Sequence, residues 1–489
     1  MKMAVVLGID LGTSAVKVSA VSPTGEVVAQ ASEAYPLNNP QPGYYEQDPI
    51  DWTNATIAAI HTLLSTEIAP GEVYGISFSG QMHSLVVLNQ RREVIRPAIL
   101  WNDTRSSEEA QWLNHEFGDK LIEITGNQAL PGFTLTKLLW LARHETATYE
   151  QIAHIMLPKD YVRLQITDQI ATDFSDAAGT LLFDLHTQQW SDVIIDRIKL
   201  KPEILPPLLA ADAQAGTVTA SFSDRTGLIT GTPVFTGAAD NAAGAIGAGV
   251  LNPDQGLVSI GTSGVVLKGE EQAGDYAGEL QFEALGPNKR YYSMGVTLAA
   301  GYSLSWFKQT FAANMSFDEL VALAETSIPG AHGLLFTPYI VGERTPHNDG
   351  HVRGSFIGID SQHTLADFAR AVFEGITYSL NDIFKIYEQA GTPIHQAVAI
   401  GGGAKSAFWL QLQADIFNVP VIQLANEQGP GMGAAVLAAV GLGWFGSVDE
   451  AAQSIVSQKA TIPPESDAVS IYQQQYQRYT QIYANTKIL

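Results

Sequence analysis

The sequence predicts an α/β protein built from two similar domains, and two observations support this prediction. Apolar segments typical of strands alternate with segments of helical periodicity along the 489 residues. One short phrase also occurs twice, as Gly12-Thr13-Ser14 and as Gly261-Thr262-Ser263, each time between two apolar runs. Each copy is expected to form a strand, a tight turn and a second strand. Because the copies lie about half a chain apart, we expect one domain over residues 1–245 and another over 246–489.

The first half begins with three strands joined by tight turns, which we expect within residues 3–35. Asp48-Pro49 then opens a helix whose apolar positions recur at helical spacing as far as Leu64. Residues 73–78 are predicted to form another strand, which ends in the polar run 79–83. Further helices are expected around residues 135–142 and 161–166.

The second half repeats this plan, with strands expected within 257–268 and at 291–296. A long helix is predicted over about residues 365–389, and the strand at 397–400 runs into three glycines. Tyrosines at positions 472, 476, 479 and 483 predict an amphipathic C-terminal helix, which either packs back on the first domain or forms an interface. Meanders combined with strand–helix units predict mixed sheets.

Composition excludes several classes of function. The chain has no cysteine, which excludes disulfides, thiolate metal sites and thiol catalysis. Its net charge of −23 makes it a poor ligand for nucleic acid, because that binding depends on basic side chains. The small-residue run 428–448 is only modestly apolar, and we expect a buried helix there rather than a membrane span. The run 231–251 contains Asp240, and we expect it to form a buried loop and helix. No signal peptide precedes the first strand, so a cytoplasmic protein is expected.

Asp10 is a candidate metal and phosphate residue. It ends an apolar strand two positions before Gly12, and such strand ends face the binding crevice of an α/β sheet. The turn from Gly12 to Ser14 offers N–H and hydroxyl donors for a phosphate, while the carboxylate suits Mg²⁺. The alternative is an aspartate that simply forms a turn. Neither copy of the phrase is a P-loop or a dinucleotide-binding fingerprint.

Asp240 is a sharper candidate, because it is the one carboxylate within a run of small residues, 237–247. Such a run allows close packing around a single acid, which we expect just before a helix. There it is suited to act as a general base on a substrate hydroxyl. The alternative is a helix cap.

Three further segments follow predicted strands. Gly401-Gly402-Gly403 leaves room for a flat ring against the backbone, or forms only a tight turn. Met82-His83 and Trp101-Asn102 follow the ends of apolar runs, where polar side chains could hydrogen-bond a polyol. A lone histidine, however, is usually structural. His347 and His351 have a metal-ligand spacing, but the proline and glycine around them predict a surface loop.

These phrases, in this order, resemble the FGGY family of carbohydrate kinases. The family's two signature segments are matched by residues 132–144 and by 354–359 together with 367–374. The resemblance implies two ribonuclease-H-like (actin-like ATPase) domains with a central cleft, a sugar side on the first domain and a nucleotide side on the second. The chain departs from the family at Thr167-Asp168, where Thr-Gly is usual, and we expect a local turn difference there.

The resemblance also assigns a role to each candidate residue. It implies ATP and Mg²⁺ as cofactors, with Asp240 as the general base and Asp10 ordering the metal shell. The sugar site is implied to comprise Met82, His83, Asp240, Asn241, Trp101 and Asn102. Thr13, Gly261 and Thr262 are implied to hold the ATP phosphates, and Gly301, Gly402 and Gly403 to shape the adenosine side.

Within the family, several phrases are most similar to the members that phosphorylate D-xylulose to D-xylulose 5-phosphate. Gln81-Met82-His83 also occurs in the gluconate kinases, whereas these tend to have Ser-Asp-Gly around the catalytic aspartate. Asp240-Asn241-Ala242 therefore favours xylulose. Gluconate, ribulose or another polyol stays open as the substrate, as does an actin-like ATPase that acts on no sugar. Dimers are common in the family, so a homodimer is expected, without nucleic-acid or membrane partners.

Overall fold

The computed structural model describes residues 4–272, 276, 278–286, 290–426 and 429–487. The chain forms two compact units, each built from three segments. Unit 1 comprises Met1–Gly249, Glu270–Tyr292 and Gln428–Val456, and unit 2 comprises Val250–Gly269, Ser293–Glu427 and Ser457–Leu489. The sequence analysis expects a single boundary near residue 245. In the structure, two later segments, Glu270–Tyr292 and Gln428–Val456, also belong to unit 1.

The elements up to residue 249 all belong to unit 1. The strands are β1 (Val5–Leu11), β2 (Ala15–Val21), β3 (Val27–Ala34), β4 (Glu46–Gln47), β5 (Val73–Gly80), β6 (Val86–Leu88), β7 (Ala98–Ile99), β8 (His154–Met156), β9 (Thr172–Asp173), β10 (Phe183–Asp184), β11 (Gln189–Trp190), β12 (Leu208–Leu209), β13 (Gln214–Thr217), β14 (Pro233–Phe235) and β15 (Ala238–Ala239). The helices are α1 (Pro49–Thr66), α2 (Ser107–Phe117), α3 (Asp119–Thr125), α4 (Thr134–His144), α5 (Thr146–Tyr149), α6 (Pro158–Thr167), α7 (Phe174–Ala178), α8 (Asp192–Ile198), α9 (Ala220–Thr226) and α10 (Asp240–Gly247).

The remaining elements follow in chain order. The strands are β16 (Gln255–Ile260), β17 (Gly264–Glu270), β18 (Gln281–Ala284), β19 (Tyr291–Thr297), β20 (Leu335–Thr337), β21 (Ser355–Ile357), β22 (Gln396–Gly401), β23 (Val421–Leu424) and β24 (Gln458–Ile462). The helices are α11 (Gly301–Phe311), α12 (Phe317–Glu325), α13 (Leu365–Gln389), α14 (Ala407–Phe417), α15 (Pro430–Gly441), α16 (Val448–Ile455) and α17 (Ser466–Thr486).

The main sheet of unit 1 has the strand order β13-β14-β5-β1-β2-β3, with β15 also paired to β5. Strands β1 and β2 form the antiparallel hairpin expected around Gly12, whose N–H donates to the Ala15 carbonyl oxygen at 3.1 Å. Strands β5 and β14 continue the sheet in parallel to β1. A buried apolar core, which includes Leu7, Trp52 and Phe78, fixes α1 and α6 against this sheet.

Unit 2 repeats the arrangement, with strands in the order β19-β17-β16-β22-β23-β24. Strands β16 and β17 form the second hairpin, and β22 and β23 extend the sheet in parallel. The prediction of two similar α/β domains with mixed sheets is confirmed.

The small-residue helix α15 packs against β1, β5 and α10 inside unit 1. A Cβ added at Gly8 would lie 2.1 Å from the Gly431 carbonyl oxygen, and one at Gly433 would lie 1.8 Å from that of Ala243. The backbone of α15 therefore contacts the backbones of β1 and α10 directly. This confirms the expectation of a buried helix for the run 428–448. Within the described residues, no helix combines the length and apolar character needed to cross a bilayer.

The C-terminal helix α17 lies in unit 2, where it contacts α14 and β20. Its tyrosines face this unit: the Tyr472 hydroxyl accepts a hydrogen bond from Arg370 at 2.7 Å, and the Tyr476 hydroxyl donates to Asp382 at 2.5 Å. Helix α17 thus belongs to unit 2, and the late segment of the chain that belongs to unit 1 is Gln428–Val456.

Candidate active site

Asp10 lies at the carboxyl end of β1, beside the end of β5. The parallel register of these strands pairs Asp10 with Ser79, and the Ser79 hydroxyl donates to Asp10 Oδ1 at 3.1 Å. Burial raises the pKa of the Asp10 carboxyl, although Lys17 and Ser79 oppose this effect. The sheet therefore fixes one carboxylate at the mouth of the first hairpin turn.

Asp240 reaches the same edge of the sheet from the other side of β5. Strand β15 pairs Ala238 with Ser79, which places Ala238 level with Asp10 two strands away. Asp240 is the first residue of α10, not the residue before it, and its Oδ1 accepts a hydrogen bond from the Asn241 N–H at 2.8 Å. The pKa of Asp240 is raised to about 7, mainly by burial and to a smaller extent by the charge of Asp10. An acid with this pKa is suited to accept a proton near neutral pH.

Thr13 and Trp101 lie in contact, although the sequence analysis assigns them to different ligands. The Trp101 indole N–H donates to Thr13 Oγ1 at 2.9 Å, while the indole itself is 40% exposed. Gln47 Nε2 donates to the Thr13 carbonyl at 2.7 Å and so holds the turn from beneath. Next to Trp101, the buried Asn102 Oδ1 has no hydrogen-bond partner within the described part of the chain. This group retains the capacity to accept a bond from a ligand.

Met82 and His83 lie directly beyond the end of β5. The buried Met82 Sδ accepts from Asn241 Nδ2 at 3.4 Å and from the Tyr292 hydroxyl at 3.6 Å. His83 Nδ1 lies 2.7 Å from the Gly179 carbonyl oxygen, which only accepts, so Nδ1 carries the proton. His83 also has φ +64, a left-handed conformation that costs a non-glycine residue about 1–2 kcal/mol.

A buried charge cluster behind Asp240 has no counterpart in the sequence-based site. Lys159 Nζ lies 2.7 Å from Asp160, 2.8 Å from Asp173 and 3.0 Å from Asp176, and all four side chains are shielded from solvent. Burial by itself would lower the pKa of Lys159, but the three carboxylates raise it above its ordinary value. The sequence analysis assigns no role to these four residues, because nothing in their local sequence shows that their charges meet.

Ser175 connects this cluster to the main chain that carries Asp240. Its hydroxyl donates to Asp173 Oδ2 and accepts from the Ala239 N–H at 2.9 Å. Ala239 is the residue immediately before Asp240 and the N-cap of α10. The cluster therefore fixes the point from which the carboxylate of Asp240 projects.

Unit 2 contains a separate cavity of about 610 Å³, a size typical of small-molecule sites. Four of the candidate residues line it, together with four aromatic residues and five polar or charged ones: Gly261, Thr262, Gly301, Gly402, Tyr302, Phe317, Phe373, Trp409, Ser305, Asp318, Glu325, Lys405 and Ser406. Gly403 is not among the lining residues, and its carbonyl oxygen accepts from Gln413 Nε2 at 3.1 Å.

Gly301 packs its backbone directly on the second Gly-Thr-Ser turn. Its N–H donates to the Gly261 carbonyl oxygen at 2.9 Å, and the Tyr302 N–H donates to that of Thr262 at 3.0 Å. A Cβ at position 301 would lie 2.4 Å from the Gly261 oxygen, which is a backbone atom that cannot rotate away. The start of α11 and the turn therefore form one rigid wall of the cavity.

With ATP in this cavity, as the resemblance implies, we expect Gly301→Ala to displace the turn and to raise the KM for ATP by roughly 10- to 100-fold, since shifts near 1 Å carry costs of that order. The KM for the sugar should stay within about twofold, because its implied contacts lie in unit 1. Gly350→Ala is the matched control, because an added Cβ there meets no atom within 4 Å. Steady-state kinetics with each substrate varied measures both constants. An unchanged KM for ATP in a folded Gly301→Ala protein would contradict the expectation that Gly301 shapes the nucleotide site.

Comparison with known proteins assigns the chain to a family. Residues 5–247 match the N-terminal domain of the FGGY family of carbohydrate kinases, and residues 256–442 match its C-terminal domain. The chain belongs to the FGGY family. As a carbohydrate kinase of this family it uses ATP and acts on a small sugar.

Individual FGGY relatives cover nearly the whole chain. Xylulose kinase of Bacillus subtilis (strain 168) is 49% identical over 100% of this chain and 98% of its own length. A structure of ligand-bound xylulose kinase from Lactobacillus acidophilus is 29% identical, covers 99% of this chain and 98% of its own, and superposes with a TM-score of 0.94. A structure described as gluconate kinase from the same organism gives the same identity, coverage and TM-score. Fold similarity alone therefore does not distinguish the two sugars.

Proposed function

We propose that this FGGY kinase transfers the γ-phosphoryl group of ATP to the terminal hydroxyl of D-xylulose, which gives D-xylulose 5-phosphate and ADP. The relatives named xylulose kinase, at up to 49% identity over the full chain, support this choice of sugar. The observation that carries the mechanism is Asp240, a carboxyl whose pKa is raised to about 7 at the start of α10, beside Met82 and Asn241. Phosphoryl transfer itself needs positioning and charge neutralisation more than covalent help from the protein.

Asp240 would act as the general base. The proton of the attacking hydroxyl passes to its carboxylate as the oxygen bonds to phosphorus in line with the departing ADP oxygen. The buried Ser175–Ala239 contact supports this role, because it fixes the start of α10 independently of the substrate. The nearby Asp10 also keeps the pKa of Asp240 high enough to accept the proton.

The sugar would lie against Met82, His83 and Asn241, with Trp101 and Asn102 completing the site. The Met82–Asn241 contact orients the amide, and the unpartnered Asn102 oxygen is suited to accept a sugar hydroxyl. These groups match a neutral polyol.

The ATP phosphates would be held by Thr13 and by the turn Gly261-Thr262, with the adenosine in the cavity of unit 2 beside Gly301 and Gly402. Aromatic walls and glycine backbones in that cavity support this placement. Asp10 fits a Mg²⁺ ion, which usually keeps several waters and takes only one or two carboxylates besides the substrate phosphates. When bound, the ion would neutralise phosphate charge.

Gluconate is the main competing substrate within the proposed class. The gluconate kinases of the family tend to have Ser-Asp-Gly around the catalytic aspartate, whereas this chain has Asp240-Asn241-Ala242. This difference favours D-xylulose.

A coupled assay of ADP release with D-xylulose, D-ribulose, gluconate and no sugar tests the proposal on the purified chain. We expect the largest kcat/KM with D-xylulose and little ADP release without sugar. A larger kcat/KM with gluconate would reassign the substrate. Full-rate ATP hydrolysis without any sugar would instead favour the actin-like ATPase.

A further inference from the structure

His83 is held in its left-handed conformation by two donors from one neighbouring helix. Its carbonyl oxygen accepts from Thr134 Oγ1 at 2.9 Å and from Lys137 Nζ at 3.0 Å. Both donors belong to the first turn of α4, and both side chains are fully buried. The main chain of His83, which has a positive φ, is therefore held at its carbonyl oxygen by two buried donors.

Lys137 is an unusual residue to find at such a contact. The hydrogen-bond partners of its Nζ, within the described residues, are two main-chain carbonyls, those of His83 and Gly132. Burial lowers the pKa of Lys137 to about 7, and Asp103 only partly opposes this effect. Burying this amine without a contacting carboxylate is costly, and its two bonds to main-chain carbonyls are the contacts that offset the cost.

The imidazole of His83 is fixed from the same side. Phe133, which precedes α4, packs edge-on against the ring with 4.6 Å between centroids. Gly179 accepts from Nδ1, and a Cβ on Gly179 would lie 2.8 Å from that nitrogen. Main chain and ring are thus both set by residues that the proposed reaction does not otherwise use.

We propose that Lys137 is a positioning residue for the sugar site, which clamps the His83 carbonyl together with Thr134 and so sets the direction of the imidazole. The proposal rests on the proposed function in one respect, that His83 lines the sugar site. Lys137 touches neither sugar nor ATP in this role, and its effect passes through His83 alone.

The variants Lys137→Met and Thr134→Val each remove one donor to the His83 carbonyl. We expect the KM for D-xylulose to rise roughly 10- to 100-fold in Lys137→Met, the range for a lost hydrogen bond to a charged group, and less in Thr134→Val. The KM for ATP should stay within about twofold. Thr136→Val is the matched control, because Thr136 is equally buried on α4 but donates to Phe133 and to neighbouring carbonyls instead. Equal losses in every kinetic constant, including those of the control, would show a merely structural role and overturn the proposal.

Histidine side-chain NMR of the ligand-free protein separates this proposal from the choice of sugar. With the His83 signal assigned from a His83→Gln variant, we expect it to shift in Lys137→Met and Thr134→Val but not in Thr136→Val. An unshifted signal in both folded variants overturns the clamp, whatever the substrate. If the wild type does not act on D-xylulose, the proposed function fails, and the kinetic comparison is made with the sugar that the assay identifies. If Lys137→Met does not fold, Thr134→Val decides both measurements.

Discussion

Asp240→Asn is expected to retain the fold and measurable sugar binding but to lose about 10²- to 10⁴-fold in kcat, the usual contribution of a general base. The amide has nearly the shape of the acid and still accepts a hydrogen bond from the Asn241 N–H, yet it cannot take the proton of the sugar hydroxyl. The measurement is kcat and the KM for D-xylulose, together with the sugar Kd from calorimetry. A kcat near the wild-type value would remove Asp240 from the role of base.

Asp382→Asn is the matched control for this change. Asp382 lies on α13 of unit 2, and burial raises its pKa to about 7 as well, while Tyr476 donates a hydrogen bond to it. Both variants therefore replace a buried carboxyl of raised pKa by an amide. We expect Asp382→Asn to leave kcat within about twofold, since the proposed chemistry does not involve this residue.

The pH dependence of the wild type provides a second check on the same residue. Asp240 must be ionised to accept a proton, and with a pKa near 7 its ionised fraction falls as the pH falls below that value. The rate kcat/KM should therefore decrease toward acid with a slope approaching tenfold per pH unit. A profile that stays flat down to pH 5 would contradict the assignment.

Lys159→Met is expected to cost about 3–5 kcal/mol of stability, because it leaves a cluster of buried carboxylates without their shared cation. Asp160 keeps Arg163, whose Nη1 lies 2.7 Å from it, but Asp173 and Asp176 lose the ion pair with Lys159. Urea unfolding measures the free-energy change. Lys120→Met is the control, because its exposed pair with Glu123 should contribute only about 0.3–0.5 kcal/mol.

The destabilisation in Lys159→Met should also depend on pH. Burial raises the pKa of the Asp176 carboxyl above its value in the unfolded chain, and removal of Lys159, which opposes this effect, makes the shift larger. Groups shifted in this direction stabilise the fold at low pH and lose that contribution as the pH rises through the folded-state value. The loss relative to wild type should therefore be smaller at pH 5 than at pH 8. A loss that is equal at both pH values and matches that of Lys120→Met would show that the cluster carries little stability.

Local signals in the sequence predicted much of this fold. The long helix predicted at about 365–389 corresponds to α13, which begins with a capping box between Thr364 and Asp367. Both hairpins were predictable, because each needs only two apolar runs and a small-residue turn. Asp240 is a candidate for a similar reason, as one acid in a run of small side chains. Such features depend on residues close together in the chain.

Features that depend on distant residues were not predicted. Lys159 and Asp176 are individually ordinary, and only the packing of α6 and α7 brings their charges together in the core. The left-handed His83 and its contact with Lys137 likewise follow from where α4 lies, which no local pattern specifies. The return of α15 to unit 1 was missed because its partners, β1 and α10, lie far away in the chain.

That return has a consequence for how the chain is made. Strand β1 and helix α15 are in backbone contact at Gly8 and Gly431, so β1 leaves the ribosome long before the helix that packs on it. Until α15 is made, the face of the sheet that it covers is bare apolar surface, of the kind that chaperones bind and that aggregates. Unit 1 is thus begun before unit 2 but completed only after most of unit 2 has been synthesised.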